Sequence, residues 1–306
     1  MIGGVGEREH SSWNLEEGAE IAPGRSVLKQ LGGGNRYEVM LVWDDRLFAI
    51  TVAKVLRPDY AQDERALAEL GEEAQALDRL AHPVLVRGFD AVLEGPHPHL
   101  LIEHLEGPTL RRLLRRHGVL PLEQLLPLAA HVAAALHYMA AEEWVHLDVK
   151  PDNIVMGVPP RLIDLSIARP VERAAHLTGP IGTDPYMAPE QCAPSDYPGE
   201  VGPPADVWGL GATLYRAVEG QGAFPRPQGA RDSDDPEVRF PQLVERPVQL
   251  SDDVPNEFRE LVERTLARRP DERPTAAELA LSLQPLVDEL PRKLAFARKG
   301  TRSRGF

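Results

Sequence analysis

The spacing of apolar residues changes along the chain, and the first hundred residues carry a pattern typical of a small sheet with one helix. Ala, Leu and Glu recur at helical spacing over residues 62–80 and stop before His82-Pro83, which predicts a helix that ends there. Short apolar runs bounded by turn residues, such as Gly32 to Gly34, predict strands. The predicted strands are Val39–Trp43, Leu47–Val55, Val84–Val92 and Leu100–Ile102.

After Gly107-Pro108 the pattern becomes mostly helical. A stretch rich in proline and acidic residues lies between Gly220 and Pro255, and it is predicted to be irregular. The predicted helices are Thr109–His117, Pro121–Glu142, Pro204–Val218, Asn256–Ala267 and Thr275–Leu286. A sheet-forming part followed by a helical part predicts an α+β fold, and 306 residues allow one large domain or two lobes.

Composition favours a cytoplasmic protein. The net charge of -13 repels a phosphate backbone, so we expect no nucleic-acid partner. The most apolar stretch, Leu125–Ala141, is short and contains Pro127 and two histidines, so we expect a buried helix and no membrane span. Met1–Glu20 lacks an apolar core behind a basic region and is not expected to be a signal peptide. The single cysteine, Cys192, can form no internal disulfide, which fits a reducing compartment.

One polar segment between the predicted helices carries a chemical pattern. It reads His146-Leu147-Asp148-Val149-Lys150-Pro151-Asp152-Asn153 and is followed by Leu162-Ile163-Asp164. Transfer of a phosphoryl group to a hydroxyl needs a carboxylate that orients and deprotonates the acceptor, and oxygen ligands for magnesium. Asp148 can supply the first function, although Asp148 alone would equally fit a solvated loop. Asn153 and Asp164 can supply the second, and Lys150 can offset the charge of the phosphate.

Two features of the predicted sheet and helix fit phosphate binding. The glycines from Gly32 to Gly34 let backbone N–H groups approach a phosphate, although such glycines are also typical of a plain hairpin turn. Lys54 lies in an otherwise apolar strand and needs a charge partner, because burying it unpaired would be costly. Glu73 on the predicted helix is the fitting partner. The adjacent Glu72 competes, but helical phase turns it in another direction.

Taken in order, these motifs resemble those of the eukaryotic-type (Hanks-type) serine/threonine protein kinases of bacteria. The resemblance implies the two-lobed protein kinase fold, with a small antiparallel sheet and one helix in the N-lobe and a mainly helical C-lobe. It divides the chain into an N-terminal extension (1–24), the N-lobe (25–103), the C-lobe (104–290) and a basic tail (291–306). It also implies ATP-dependent phosphorylation of Ser/Thr hydroxyls in proteins, with Mg²⁺ or Mn²⁺ as the metal ion.

The resemblance assigns roles to the residues of these motifs. Asp148 is implied as the catalytic base with Lys150 beside it, and Asn153 and Asp164 as the metal ligands. Lys54, held by Glu73, is implied to bind the α- and β-phosphates. The implied ATP-binding residues are Gly32, Gly34, Val39, Lys54, Ile102 and, through the backbone, Glu103 and Leu105.

A string of nine residues, from Gly182 to Glu190, is similar to the end of the kinase activation segment and favours protein substrates. Within it, Thr183 is implied to shape the acceptor site and to contact Asp148 or Lys150. Glu190 is implied to form a buried ion pair with Arg273. Asp206 is implied to anchor the catalytic loop through its backbone.

Three positions depart from the family pattern. Tyr37 stands at the third motif glycine, Leu147 replaces the arginine that follows the catalytic histidine, and Ser166 replaces the glycine after Asp164-Leu165. Because that arginine reads a phosphate on the activation loop, Leu147 predicts an activity that does not depend strongly on such phosphorylation. Ser166 is expected to restrict the flip of Asp164, since serine is less free in backbone conformation than glycine.

Two other interpretations remain open. A pseudokinase that serves as a nucleotide-binding or protein-binding scaffold would fit the three departures, although five catalytic side chains in order argue for activity. A small-molecule kinase would share Asp148, Asn153 and Asp164 but would not explain the string from Gly182 to Glu190. The resemblance further implies a homodimer through the N-lobe. If the chain is a fragment, it implies the cytosolic part of a membrane-anchored kinase.

Overall fold

A six-stranded antiparallel sheet forms the N-lobe in the computed structural model, which describes residues 11–290. Its strands are β1 (Glu20–Ala22), β2 (Arg25–Gly33), β3 (Tyr37–Asp44), β4 (Ala49–Leu56), β5 (Gly88–Val92) and β6 (His99–Glu103). They lie in the order β1-β2-β3-β4-β6-β5. Helix α1 (Glu64–Arg79) packs against β5 and β6, and its first turn is capped by Asp63, which accepts a 2.7 Å hydrogen bond from the Ala66 N–H.

Alternation along the strands gives this sheet two different faces. On one face, Met40 and Val42 of β3 pack with Ala53 and Val55 of β4 in a small apolar core. Because neighbouring residues on a strand point to opposite faces, Val39 and its cross-strand partner Lys54 lie on the other face, which turns toward the C-lobe. The period of two therefore separates the packing residues from the residues that can meet a ligand.

The remainder of the described chain is mainly helical. Its helices are α2 (Leu110–His117), α3 (Leu122–Ala141), α4 (Val171–Ala175), α5 (Pro189–Cys192), α6 (Pro203–Glu219), α7 (Pro236–Arg239), α8 (Asn256–Thr265) and α9 (Ala276–Asp288). Helix α3 packs against α6 and α9. Four two-residue strands frame the polar segment around Asp148: β7 (Trp144–Val145), β8 (Ile154–Val155), β9 (Arg161–Leu162) and β10 (Arg169–Pro170). The predicted α+β fold, with a small antiparallel sheet and one helix in the first lobe and a mainly helical second lobe, is confirmed.

Two local predictions differ from the structure. The strand predicted to start at Val84 is wrong in its first half, because strand β5 begins only at Gly88. Residues 84–86 instead bond to the second lobe: the Leu162 N–H donates to the Val84 carbonyl at 2.7 Å, and the Val86 N–H donates to the Leu162 carbonyl at 3.0 Å. Within the stretch from Gly220 to Pro255, which was predicted to be irregular, the chain forms the single turn of helix α7 and two 3₁₀ turns.

The described part of the N-terminal extension packs on the sheet. The indole N–H of Trp13 donates to the Leu56 carbonyl at 2.7 Å, and the Trp13 backbone N–H donates to Glu38 Oε1 at 3.0 Å. Trp13 thereby gives the otherwise polar N-terminal segment an apolar surface and a hydrogen-bond donor. These two contacts hold the segment against the sheet. The basic tail 291–306 lies outside the described residues. None of the helices within residues 11–290 is long and apolar enough to cross a membrane.

Candidate active site

The Lys54 ammonium group joins the two lobes through three short bonds. Its Nζ lies 2.9 and 2.8 Å from the two carboxylate oxygens of Glu73 and 3.0 Å from Oδ1 of Asp164. Glu73 shares the buried stripe of α1 with Leu70 and Leu77, at helical spacings of three and four residues. The sequence-predicted partner of Lys54 is therefore the one that the structure brings to it.

The neighbouring Glu72 points away from Lys54, as its helical phase predicted. Its Oε1 accepts a 2.7 Å hydrogen bond from Arg173 on the short helix α4. Helix α1 consequently contacts two separate segments, with Glu73 facing the strand lysine and Glu72 facing α4.

Electrostatics keep both members of the Lys54–Asp164 pair charged. Burial works to lower the pKa of Lys54, but the charges of Glu73 and Asp164 outweigh it and raise that pKa above its ordinary value. Burial likewise works to raise the pKa of Asp164, yet the ammonium group of Lys54 overcomes it and lowers that pKa. Lys54 thus remains a cation and Asp164 an anion at neutral pH.

Tyr37, which stands at the third motif glycine, lies against this ion pair. The Lys54 Nζ is 4.6 Å from the centroid of the Tyr37 ring, within range of a cation–π contact. Burial, the largest influence, raises the pKa of the Tyr37 phenol, so the ring stays neutral beside the ammonium group. The substitution adds a contact to Lys54 and leaves the bond between Lys54 and Glu73 intact.

A second cluster surrounds Asp148 in the C-lobe. The Lys150 Nζ donates to Asp148 Oδ2 at 2.6 Å, and the Thr183 hydroxyl donates to Asp148 Oδ1 at 2.7 Å. Lys150 also lies 2.6 Å from the Thr183 hydroxyl oxygen. Asn153 donates from Nδ2 to the Asp148 carbonyl at 3.0 Å and to Asp148 Oδ2 at 3.1 Å. Four predicted site residues therefore form one hydrogen-bonded group.

Asp206 holds the backbone of the catalytic loop, residues 146–153, at its first two residues. Its two carboxylate oxygens accept hydrogen bonds from the N–H groups of His146 and Leu147, each at 2.7 Å. Leu147 has a φ of 65°, an unfavourable conformation for a side chain of this kind, which the two bonds help to hold. The Leu147 side chain is buried, and it offers no cation to a phosphate.

The activation segment is tied down by a buried ion pair. Arg273 donates from its two terminal nitrogens to the two oxygens of Glu190, at 2.6 and 2.8 Å. Both side chains are fully buried, and the guanidinium group also lies 4.9 Å from the centre of the Trp208 ring system. A planar fork of this kind positions the segment that follows Thr183.

Gln191 is a buried bridging residue at the site that the sequence pattern did not indicate. Its Nε2 donates to the carbonyls of Leu147 and Ile181, at 2.9 and 3.0 Å, and so links the catalytic loop to the activation segment. The sequence shows only that this glutamine follows Glu190. Its two acceptors lie 44 and 10 residues away, so no local pattern predicts the bridge.

The glycine-rich turn between β2 and β3 fits a phosphate. A side chain at Gly33 would lie 2.3 Å from the Tyr37 carbonyl oxygen, so Gly33 is required by the turn itself. At Gly34 an added Cβ would meet nothing within 4 Å, and the backbone there is not in the left-handed region. The protein's own packing therefore does not require glycine at position 34, and the open space beside it leaves room for a phosphate. The Gly34 N–H itself donates to the Tyr37 carbonyl at 3.0 Å.

The predicted adenine-binding residues line the same face of the sheet. Ile102 pairs with Val52 on β4, two residues before Lys54, so its side chain shares the face of Val39 and Lys54. The Glu103 N–H is already bonded to the Arg87 carbonyl at 3.0 Å. Beyond β6, Leu105 takes no part in the backbone bonds found within residues 11–290, which leaves its N–H for a ligand.

The metal-binding prediction rests on two oxygen donors. Asn153 uses its Nδ2 on Asp148, so its Oδ1 is left as an acceptor. The Asp164 side chain is 37% exposed, with one oxygen bonded to Lys54, and can still take a ligand. Within residues 11–290 no group of three or more His, Cys, Asp or Glu side chains could hold a metal ion. Two ligands suit Mg²⁺, which keeps waters and takes phosphate oxygens from its substrate.

Comparison with known proteins identifies the family. The protein kinase domain family matches residues 25–282 of the chain. The serine/threonine-protein kinase PknB of Mycobacterium leprae is 31% identical over 267 residues, covering 83% of this chain and 41% of the relative. PknL of Mycobacterium tuberculosis is 32% identical over 272 residues, covering 86% and 66%. PkaA of Streptomyces coelicolor is 34% identical over 247 residues, covering 78% and 43%.

The chain spans less than two thirds of the length of each of these three relatives. All three bear the name serine/threonine-protein kinase, and all three come from bacteria. With the two-lobed fold and the match over residues 25–282, the chain belongs to the protein kinase family, as a Hanks-type serine/threonine kinase of the bacterial class.

Proposed function

We propose that this chain is an active kinase that transfers the γ-phosphate of ATP to Ser and Thr hydroxyls of proteins. The observation that carries the proposal is the complete set of polar contacts in two clusters. Lys54 is bonded to Glu73 and Asp164, and Asp148 is bonded to Lys150, Thr183 and Asn153. Such pre-arranged side chains supply positioning and charge stabilisation, which account for most of the catalysis of phosphoryl transfer.

In the proposed reaction, Asp148 orients the acceptor hydroxyl and accepts its proton. The oxygen of that hydroxyl forms a bond to the γ-phosphorus while the bond from that phosphorus to the oxygen of ADP breaks. Lys150, 2.6 Å from Asp148, offsets the negative charge of the transferring group. Lys54 binds the α- and β-phosphates and is itself held by Glu73.

Nucleotide and metal binding follow from the same two clusters. Gly32 and Gly34 carry no side chain and so let the phosphates approach the backbone of the turn. Val39 and Ile102 contact the adenine ring, whose edge pairs with the backbone of Glu103 and Leu105. Asn153 and Asp164 hold Mg²⁺ or Mn²⁺. The metal ion, when bound, neutralises charge on the phosphate oxygens.

The pseudokinase alternative gains no support from the three departures from the family pattern. The Tyr37 ring lies on Lys54 without displacing Glu73, and Leu147 is packed in the core with its N–H bonded to Asp206. Ser166 follows an Asp164 that already has a φ of 67° and bonds Lys54. Each departure thus leaves the catalytic contacts in place.

A transfer assay tests the proposal. The protein is incubated with γ-labelled ATP, Mg²⁺ or Mn²⁺ and a basic protein substrate, beside the variants Asp148→Asn and Lys54→Met. We expect transfer by the unaltered chain and a loss of about 100-fold or more in each variant. Lys29→Met, which removes an exposed lysine of β2, is the matched control and should retain transfer. Absence of transfer with either metal ion, from a folded protein, would refute the proposal.

The proposal extends to a homodimer formed through the N-lobe. The N-lobe carries exposed apolar side chains within or next to its strands, namely Leu31, Phe48, Ile50, Phe89 and Leu93. Phe48 is 81% exposed, and Trp43 packs edge-on against its ring at 5.1 Å. Sedimentation over a range of concentrations should show a dimer that Phe48→Asp disrupts and that Leu281→Asp, on an exposed position of α9, does not. A chain that sediments as a monomer at every concentration contradicts this part.

The proposed location of the activity is the cytoplasm, where ATP is supplied. The free, buried thiol of Cys192 supports a reducing compartment. Fractionation of the producing cell, with the chain followed by an antibody, tests this location, and recovery outside the cytoplasm or its membrane face contradicts it.

A further inference from the structure

The substrate-facing side of the C-lobe carries a local charge opposite to that of the whole protein. Helix α2 reads Leu-Arg-Arg-Leu-Leu-Arg-Arg-His and contains no acidic residue, within a chain whose net charge is -13. Leu110 and Leu114 turn inward and are buried, so the four arginines of α2 are exposed. The helix period therefore concentrates positive charge on one outer surface.

This helix stands beside the catalytic loop. Arg111 of α2 lies 3.1 Å from Oδ2 of Asp152, the residue directly before Asn153. The negative charge of Asp152 is thereby balanced by the guanidinium group of Arg111. Both side chains remain about two-fifths exposed, at 44% for Arg111 and 39% for Asp152, so a substrate can reach them.

A further arginine approaches from helix α6. Arg216 is exposed, and no ion pair joins it to any side chain of residues 11–290. The next residue of α6, Ala217, accepts a 2.9 Å hydrogen bond at its carbonyl from the Leu120 N–H, so this end of α6 lies beside the chain that follows α2. Burial raises the pKa of Tyr186, and the charges of Arg216, Asp152 and Arg111 also act on it, as expected for side chains within electrostatic range of the phenol. Helix α6 also packs on the 3₁₀ turn Asp184–Tyr186.

The acceptor hydroxyl must come to the same place. Tyr186 follows Thr183 by three residues, and the Thr183 hydroxyl is bonded to Asp148 at 2.7 Å. A peptide whose Ser or Thr reaches Asp148 must run past Tyr186 and the catalytic loop. There it meets two arginines, Arg111 and Arg216, and one carboxylate that is already paired. We call Arg111 and Arg216 the basic flank.

Resting on the proposed kinase activity, we infer that the basic flank selects protein substrates with Asp or Glu next to the phosphoacceptor. An acidic side chain there gains an unpaired guanidinium partner in Arg216, and it can share Arg111 with Asp152. A basic side chain meets like charge and is disfavoured. The preference lies in peptide binding, because neither arginine contacts Asp148 or Lys54 in the structure.

Matched peptides test the inference. Each carries one Thr, flanked on its N-terminal or C-terminal side by Asp and Glu, by Ala, or by Lys and Arg. The expected kcat/KM is about tenfold or more higher for an acidic than for a basic peptide, mainly through KM, and the ratio falls as salt is added. Arg216→Glu should reverse the order. Arg264→Glu, an equal charge change on the exposed side of α8, should not.

A binding measurement separates this inference from the proposed activity. The affinity of fluorescent forms of the same peptides is measured by polarisation, without ATP, for the unaltered chain, Arg216→Glu, Arg111→Ala and Arg264→Glu. Tighter binding of the acidic peptide that is lost in the first two variants supports the basic flank even where no phosphate is transferred. Equal binding of acidic and basic peptides, or equal effects of Arg216→Glu and Arg264→Glu, would overturn the inference. The proposed kinase activity would still be tested independently by the transfer assay.

Discussion

Thr183 of the activation segment donates a 2.7 Å hydrogen bond to Oδ1 of Asp148, across 35 residues of sequence. The same hydroxyl oxygen lies 2.6 Å from the Lys150 Nζ. The end of the activation segment is thus part of the hydrogen bonding that orients the carboxylate. The site holds its reactive groups in place before any substrate arrives, which is the arrangement that favours catalysis by positioning.

This contact predicts a large loss of turnover in Thr183→Val. Valine keeps the shape of threonine but has no hydroxyl, so Asp148 and Lys150 lose their shared partner. We expect kcat to fall by about 10- to 100-fold with little change in the KM for ATP. Thr183→Ser, which keeps the hydroxyl, is the matched control and should retain most of the activity. Full activity in Thr183→Val, or a loss in Thr183→Ser as large as that in Thr183→Val, would contradict the role of the hydroxyl.

A second prediction concerns phosphorylation of the activation segment. The buried side chain of Leu147 offers no cation to a phosphate, and the segment is instead held by Gln191 and by the bond from Arg173 to Glu72. Treatment with a phosphatase, followed by its removal and a peptide assay, should leave the activity within about twofold.

The ion pair between Arg173 and Glu72 can be tested in the same peptide assay with the variant Arg173→Ala. Both side chains are about half exposed, so the pair contributes only about 0–1 kcal/mol to stability. Arg173→Ala should therefore leave folding intact while loosening α4 from helix α1, and it should lower kcat by about two- to fivefold. Strong inactivation by the phosphatase would contradict the interpretation of Leu147.

The pair formed by Glu190 and Arg273 predicts an effect on stability. Both side chains are fully buried, so Arg273→Met leaves a buried carboxylate without a partner. The expected loss in free energy of unfolding is about 3–5 kcal/mol, measured by denaturant titration. The double variant Glu190→Gln with Arg273→Met removes the uncompensated charge and should recover part of that loss. A single variant as stable as the unaltered chain would refute the structural role.

Histidine 99 predicts how stability depends on pH. In the buried network on β6, His99 Nδ1 lies 2.7 Å from the His97 carbonyl, and its Nε2 lies 2.9 Å from Nη1 of Arg25, which is paired with Asp44 and Asp90. Burial, the largest influence, lowers the pKa of His99, and the charge of Arg25 adds to this. The folded state therefore holds His99 neutral, with Nδ1 donating and Nε2 accepting.

Below a pH of about 6.5 the unfolded chain binds a proton at this residue that the folded chain does not. The free energy of unfolding must then decrease with falling pH, by up to about 1.4 kcal/mol per pH unit. Urea titrations between pH 5 and 7 should show a shallower dependence for His99→Gln than for the unaltered chain. His137→Asn, on an exposed position of α3, is the control. Identical pH slopes for His99→Gln and the unaltered chain would contradict the prediction.

Much of the site was predictable because its residues follow local periods. Alternation along β3 and β4 puts Val39 and Lys54 on one face, and the helical period of α1 singles out Glu73 over Glu72. The contacts between these elements were expected only through the resemblance to a family. The helices of the C-lobe also begin and end within a few residues of the predicted positions, since their apolar spacing is strong.

Other features depend on contacts that no local pattern reveals. Gln191 acts through a carbonyl 44 residues away, and Trp13 anchors the N-terminal segment on a carbonyl 43 residues away. Residues 84–86 look like a strand because they are apolar, yet they are buried between the lobes and bond to Leu162. An apolar run predicts that a segment is buried, but the segment that it contacts depends on the whole fold.

The central claim is that the group around Asp148 transfers phosphate to Ser and Thr. The most direct measurement is a single-turnover reaction with γ-labelled ATP and Mg²⁺, in which mass spectrometry locates the transferred phosphate and a separate titration measures ATP binding. We predict phosphoserine or phosphothreonine from the unaltered chain, and from Asp148→Asn unchanged ATP affinity with a rate lowered by about 100-fold or more. Bound ATP without transfer by the unaltered chain, or equal rates from the two proteins, would contradict the account.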